Sequence, residues 1–220
     1  MSACHIGSGR IADIYPNRNE MKTCLCSDCL SDNVKKETWI IEVLTATHVV
    51  FDDSEAKKSK CTLFYDSYEG RSTKSNGSKC RHANTFKDLS LLECIACDRE
   101  LANVIMENIR SLNVLCATIL ERYTLDKGKN KNERNYHNNR LVVLGCHTLT
   151  VGQKKISIGR LERIIKRRKK CQKGCLLLYD TSTCVGSGGA PVYLYGQDWL
   201  LEEYVHSGRT SDKKLKVDCL

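Results

Sequence analysis

Cys184-Val185-Gly186-Ser187-Gly188-Gly189-Ala190-Pro191-Val192-Tyr193 lies between two apolar runs, Leu176-Leu177-Leu178-Tyr179 before it and Val192-Tyr193-Leu194-Tyr195 overlapping its end. The glycines read as a tight loop and the flanking aliphatic and aromatic residues as strands. Alone, such a loop is unremarkable. Its weight comes from two stretches upstream. Thr38-Trp39-Ile40-Ile41-Glu42-Val43-Leu44-Thr45 reads as a buried strand and delivers Ala46-Thr47-His48-Val49-Val50 at its end. Asp88-Leu89-Ser90-Leu91-Leu92-Glu93-Cys94 alternates like a strand entering a core, with Asp88 at its mouth. Asp88 follows His48 by 40 residues and Gly188 follows Asp88 by 100.

Taken together, the three stretches resemble the trypsin-like serine peptidases. In that family the base sits in [LV]-T-A-[AT]-H-[VC]-V, the orienting acid in D-[ILV]-[AS]-L-[LI] and the nucleophile in C-x-G-[DNS]-S-G-[GSA]-P. Order and spacing both match, over nearly the whole chain. The resemblance implies an all-β fold of two six-stranded-type chymotrypsin-like barrels. Residues 1–98 would form the first, with His48, Asp88 and a cysteine-rich insertion over 17–36. Residues 99–139 would hold an inserted helix and a basic linker, and 140–220 the second, abbreviated barrel with the nucleophile loop over 184–191.

One letter departs from the pattern. Counting back from Pro191, Ala190 and Gly189 fill the positions after the nucleophile, so Gly188 occupies the nucleophile's own place, and Cys184 four residues earlier agrees. The resemblance implies His48 as base, Asp88 as orienting acid and the amides of Gly186 and Gly188 as oxyanion donors. It also implies a substrate pocket around Ser182 and His206. Glycine has nothing to attack a carbonyl with, and removing one member of such a triad costs about a million-fold in turnover. Three readings follow: a pseudopeptidase binding extended peptide, an intracellular endopeptidase using Ser187 as alternative nucleophile, and a basic zinc-containing module binding nucleic acid. The motifs favour a polypeptide substrate or peptide ligand over nucleic acid. Val-His-Ser-Gly around His206 also resembles the pocket of viral chymotrypsin-like peptidases that favour Gln or Glu.

Composition sets the frame. In 220 residues, 41% are hydrophobic and only two are proline, which suits a globular chain with a substantial core. The start carries no basic region followed by an apolar run, and no stretch approaches a membrane span, so the expectation is a cytoplasmic or nuclear protein without membrane contact. The 14 cysteines are then expected as thiols or metal ligands. Cys24, Cys26 and Cys29 have a spacing that lets three sulfurs converge on one structural zinc, with Cys4, His5, Cys61, Cys80 and His82 as candidates for a fourth ligand. No cofactor is required for the chemistry implied by the resemblance.

Much of the formal charge of +9 is concentrated at Lys127–Arg134, which has a linker's composition, and at Lys166–Lys170, which reads as a solvated loop, with a nuclear import signal or a phosphate-binding patch as alternatives. Asp98 is the runner-up for the acid, but it fits better as the N-cap of a helix. That helix would carry apolar residues at Leu101, Val104, Ile105, Ile109, Leu112, Leu115, Cys116, Ile119 and Leu120 and end near Tyr123. A short helical turn is expected from Asp52, and a hairpin or loop over Glu69–Ser78. Twelve residues after Gly208 leave too little chain for the family's last strand pair and terminal helix, so the second barrel is expected to be abbreviated or the chain truncated.

Overall fold

The computed structural model describes residues 5–18, 29, 37–65, 72–129, 141–147, 154–169, 172–194, 204–209 and 216–219. It is an all-β architecture of two antiparallel sheets with one long helix between them in sequence. The first sheet contains β1 (Arg10–Pro16), β2 (Trp39–Thr45), β3 (Lys60–Leu63), β4 (Thr73–Asn84) and β5 (Leu89–Ala96), in the order β1-β2-β5-β4-β3. Alternation on β2 and β5 sends Ile41, Val43, Leu92 and Cys94 into one core. The opposite face of β2 is buried as well, so every residue from Trp39 to Thr45 is covered. Glu42 on that face accepts a hydrogen bond from Tyr15 Oη at 2.9 Å and pairs with Arg81.

Between β2 and β3 runs α1 (Asp53–Lys58). Asp52 caps it by accepting the Glu55 N–H at 2.9 Å. Of the hairpin or loop expected over Glu69–Ser78, 69–71 lie outside the described residues and the second half is a strand paired antiparallel with β3. Residues Thr73 to Ser78 belong to β4, where Cys61 faces Ser75 on one side and Ile95 faces Asn76 on the other. Gly77 looks like a turn signal, but here it serves packing: a side chain there would run into the Ala56 backbone of α1.

Helix α2 (Arg99–Lys129) is capped by Asp98, whose Oδ1 accepts the N–H groups of Glu100 at 2.9 Å and Leu101 at 3.2 Å. It runs past the expected end at Tyr123 into the start of the basic linker, and 130–134 lie outside the described residues. Leu101, Ala102 and Ile105 dock onto the first core. Val104 and Leu115, expected on the same apolar face, stand 50% and 55% exposed, so the buried stripe is narrower than the sequence period suggests.

The second sheet contains β6 (Leu141–His147), β7 (Lys154–Lys169), β8 (Gln172–Tyr179), β9 (Val192–Leu194), β10 (His206–Arg209) and β11 (Lys216–Cys219), ordered β10-β11-β8-β7-β6-β9. Its two outer strands are tied where their leading residues meet. Pro191 bridges Val205, Val192 N–H donates to Tyr204 O and His206 N–H donates to Ala190 O. The sheet therefore curls back on itself around Val142, Leu144, Leu177, Tyr179, Val192 and Leu194.

Two expectations change here. The basic run is not a loop over Lys166–Lys169: its backbone continues β7 and pairs with β8, from Lys166 opposite Cys175 to Lys169 opposite Gln172. A last strand pair also forms, because β10 and β11 are short enough to fit the remaining chain and β11 docks against β8. A small cluster of Leu44, Ala46, Leu89 and Val205 joins residues of the two sheets.

Candidate active site

His48 lies in the turn that ends β2, where Val49 N–H and Val50 N–H both donate to Ala46 O. Asp88 lies immediately before β5, in a left-handed conformation with φ of 49°. The pairing of β2 with β5, Thr45 opposite Ser90, carries the ends of both strands to one place. His48 Nδ1 and Asp88 Oδ2 are 2.7 Å apart, and the His48 N–H donates to Asp88 Oδ1 at 3.1 Å. A carboxylate only accepts, so this contact assigns the ring proton to Nδ1 and leaves Nε2 on the opposite side of the ring as the basic atom.

Two hydroxyls complete the carboxylate's shell: Thr47 Oγ1 donates to Oδ1 at 2.5 Å, and Ser207 Oγ donates to Oδ2 at 2.6 Å. Burial alone would push the Asp88 carboxyl up, but the hydrogen bonds from His48, Ser207 and Thr47 together outweigh it and hold the group at about 2. The hydrogen bond to Asp88 in turn raises His48 above its ordinary value, against the opposing effect of its partial burial.

Gly188 meets this pair from the second sheet. A Cβ placed on its backbone would lie against His48 Nε2, with Cε1 3.1 Å away. Position 188 is thus the one that faces the basic nitrogen. Its φ is outside the left-handed region, unlike that of Gly186 (94°) and Gly189 (79°). Gly189 is irreplaceable in a different sense, because a side chain there would strike Thr45 Oγ1, Ser8 O and the Ala46 amide.

The loop's shape is held by main chain and by Ser8. Ser8 Oγ donates to Gly186 O at 2.7 Å and Ser8 N–H donates to Gly188 O at 2.7 Å. Gly189 N–H donates to His206 O, and Ala190 N–H closes a turn on Ser187 O. Among the described residues, the N–H groups of Gly186 and Gly188 donate no main-chain hydrogen bond.

Ser187 is 1% exposed, and its Oγ accepts the Cys184 N–H at 3.0 Å, with the Cys184 sulfur 3.6 Å away. Its hydroxyl is engaged inside its own loop. His206 is buried and shares a 2.7 Å hydrogen bond between its Nδ1 and the Tyr179 hydroxyl, while Ser182 is exposed on the segment entering the loop. Of the zinc candidates, Cys24 and Cys26 lie outside the described residues and Cys29 is buried. Cys61 meets Cys94, and Cys80 lies against Phe51 O and Ser90 Oγ. Among the described residues no group of three or more His, Cys, Asp or Glu converges as a metal would need.

His48, Asp88 and Gly188 come together as their motifs predict, whereas Thr47, Ser207 and the Ser8 hydroxyl join the site without a motif of their own. Thr47 adjoins His48 and Ser207 adjoins His206, so adjacency to a chosen residue was the only signal. No protein-family model matches the chain, and no curated protein matches it. Solved structures do resemble it. The MamO protease domain from Magnetospirillum magneticum is 10% identical, with a TM-score of 0.42 over 94% of this chain and 89% of that one. Deg5 is 10% identical, with a TM-score of 0.44 over 80% and 72%, and the Rv3671c protease from M. tuberculosis, in its active form, is 11% identical, with a TM-score of 0.39 over 83% and 67%. At these values the likenesses add nothing to what strand order and site geometry carry by themselves.

Proposed function

We propose that this chain is a pseudopeptidase with a trypsin-like two-sheet fold, which holds an extended polypeptide beside His48 and the Gly186–Gly189 loop without cutting it efficiently. The observation that carries this reading is Gly188 facing His48 Nε2. Asp88 and His48 are paired as an acid and base of a triad are, and position 188, where the serine would stand, has no side chain, so that the His48 ring lies in the space a Cβ there would take. The amides of Gly186 and Gly188 would receive the peptide carbonyl, a role that survives loss of any side chain. With the base intact, His48 activates water at best, and slowly.

Ser187 is set aside as nucleophile because its hydroxyl is buried and occupied by the Cys184 N–H. A peptide with a hydrogen-bonding side chain before the carbonyl suits a pocket walled by the His206–Tyr179 pair. The test is to incubate immobilised protein with a degenerate peptide library and analyse retained and released peptides by mass spectrometry. Peptides are expected to be retained and recovered intact. New peptide termini that vanish in Ser187→Ala would make the protein an enzyme acting through Ser187.

A further inference from the structure

Cys61 and Cys94 bring their sulfurs within 3.3 Å, although they sit on β3 and β5, which are not neighbours in the sheet. Both strands flank β4. Cys61 is opposite Ser75 and Cys94 is opposite Gly77. Ser75 and Gly77 are two residues apart and so lie on one face of β4. One has a small side chain and the other none, which leaves the two sulfurs free to meet across the intervening strand. Cys94 is fully buried, whereas Cys61 is partly exposed on a four-residue edge strand paired on one side only.

We propose that Cys61 and Cys94 form a redox-active dithiol that closes to an intramolecular disulfide when a hydroperoxide reaches Cys61, tying edge strand β3 to β5. Cys61 is the attacking sulfur because it is the one that solvent reaches. The hydrogen bond from the Cys94 S–H lowers the Cys61 thiol below the usual range, while that bond and burial push the Cys94 thiol up.

In the first step the Cys61 thiolate attacks one peroxide oxygen, the O–O bond breaks, and the departing hydroxide leaves as water after taking a proton, giving a sulfenic acid. In the second the Cys94 sulfur attacks the Cys61 sulfur, the S–O bond breaks, and hydroxide leaves as water with the Cys94 proton. Two thiols and one hydrogen peroxide thus become one disulfide and two waters. Bond formation needs the sulfurs to close from 3.3 Å to about 2.05 Å, a movement of about 1.2 Å that a short edge strand can absorb.

The experiment treats the full reduced chain with stoichiometric hydrogen peroxide, blocks remaining thiols with N-ethylmaleimide, and maps linked peptides after digestion without reduction. The expected product is a Cys61–Cys94 cross-link lacking two hydrogens and cleaved by dithiothreitol. In Cys94→Ser, checked for folding by circular dichroism, Cys61 should stop at a sulfenic acid trapped by dimedone. Recovery of both Cys61 and Cys94 as maleimide adducts in the wild-type chain after its other cysteines have oxidised would overturn the proposal. A Cys61 cross-link to a different cysteine would overturn it equally.

Discussion

Asp88 is held by side chains from both sheets, whereas the loop around Gly188 is held mainly by backbone. The Asp88 carboxylate accepts four hydrogen bonds, from Thr47, from Ser207 and from the main chain and ring of His48. Around Gly188 the contacts run instead through the Gly186 and Gly188 carbonyls, the Gly189 and Ala190 amides and the main chain of His206. The difference explains how the loop can keep its shape with glycine at 188. A hydroxyl at 188 holds none of the bonds that fold the loop, so its absence leaves the loop intact, whereas losing the Asp88 carboxylate would strand several donors at once.

The sharpest way to break that comparison is to substitute neighbouring glycines. Gly189→Ala forces a side chain into a left-handed backbone and against Thr45, Ser8 and Ala46, and is expected to destabilise the fold by about 3 kcal/mol. Gly188→Ala has no such φ and meets only the movable His48 ring, so about 1 kcal/mol or less is expected. Urea unfolding of both variants measures this, and equal losses would contradict a loop whose backbone requires glycine at 189 but not at 188.

The same contrast marks what could be read from residues. His48, Asp88 and Gly188 were legible because strand-end motifs in fixed order leave the chain few ways to bring them together. The cap at Asp98 and strand β5 were legible from local pattern. Strand β4 was not, since Ser75 and Gly77 look like turn residues and are needed small for reasons set by α1 and the two sulfurs. Ser207 reaches Asp88 across 119 residues, and no local pattern announces a hydroxyl's role at that distance. Val104 and Leu115 fit the helical period yet face outward, because the stripe that packs on the first core, Leu101, Ala102, Ile105 and Ile109, is narrower than that period suggests.

A smaller effect sharpens the side-chain half. Asp88→Ala leaves the donors of Thr47, Ser207 and His48 without their acceptor and is expected to cost about 2 kcal/mol at neutral pH. For the wild-type carboxylate, held at about 2, the stabilising contribution is complete above its ordinary value near 3.8 and disappears as pH falls through about 2. For His48 the sign is opposite: its folded value is raised, so its contribution is complete below its ordinary value and is lost as pH rises through the folded one. Proton NMR should therefore place the His48 midpoint above 6.5 in the wild-type protein, and Asp88→Asn should lower it. A midpoint unmoved by that change would show that the carboxylate does not govern the imidazole.

The most direct measurement is labelling by a fluorophosphonate serine probe. The protein carrying Gly188 should remain unlabelled. Gly188→Ser, with a backbone φ that permits the side chain and a His48 ring that must swing slightly aside, should be labelled, and Gly188→Ser combined with His48→Ala should not. Labelling of the unsubstituted protein that is lost in Ser187→Ala would contradict the account.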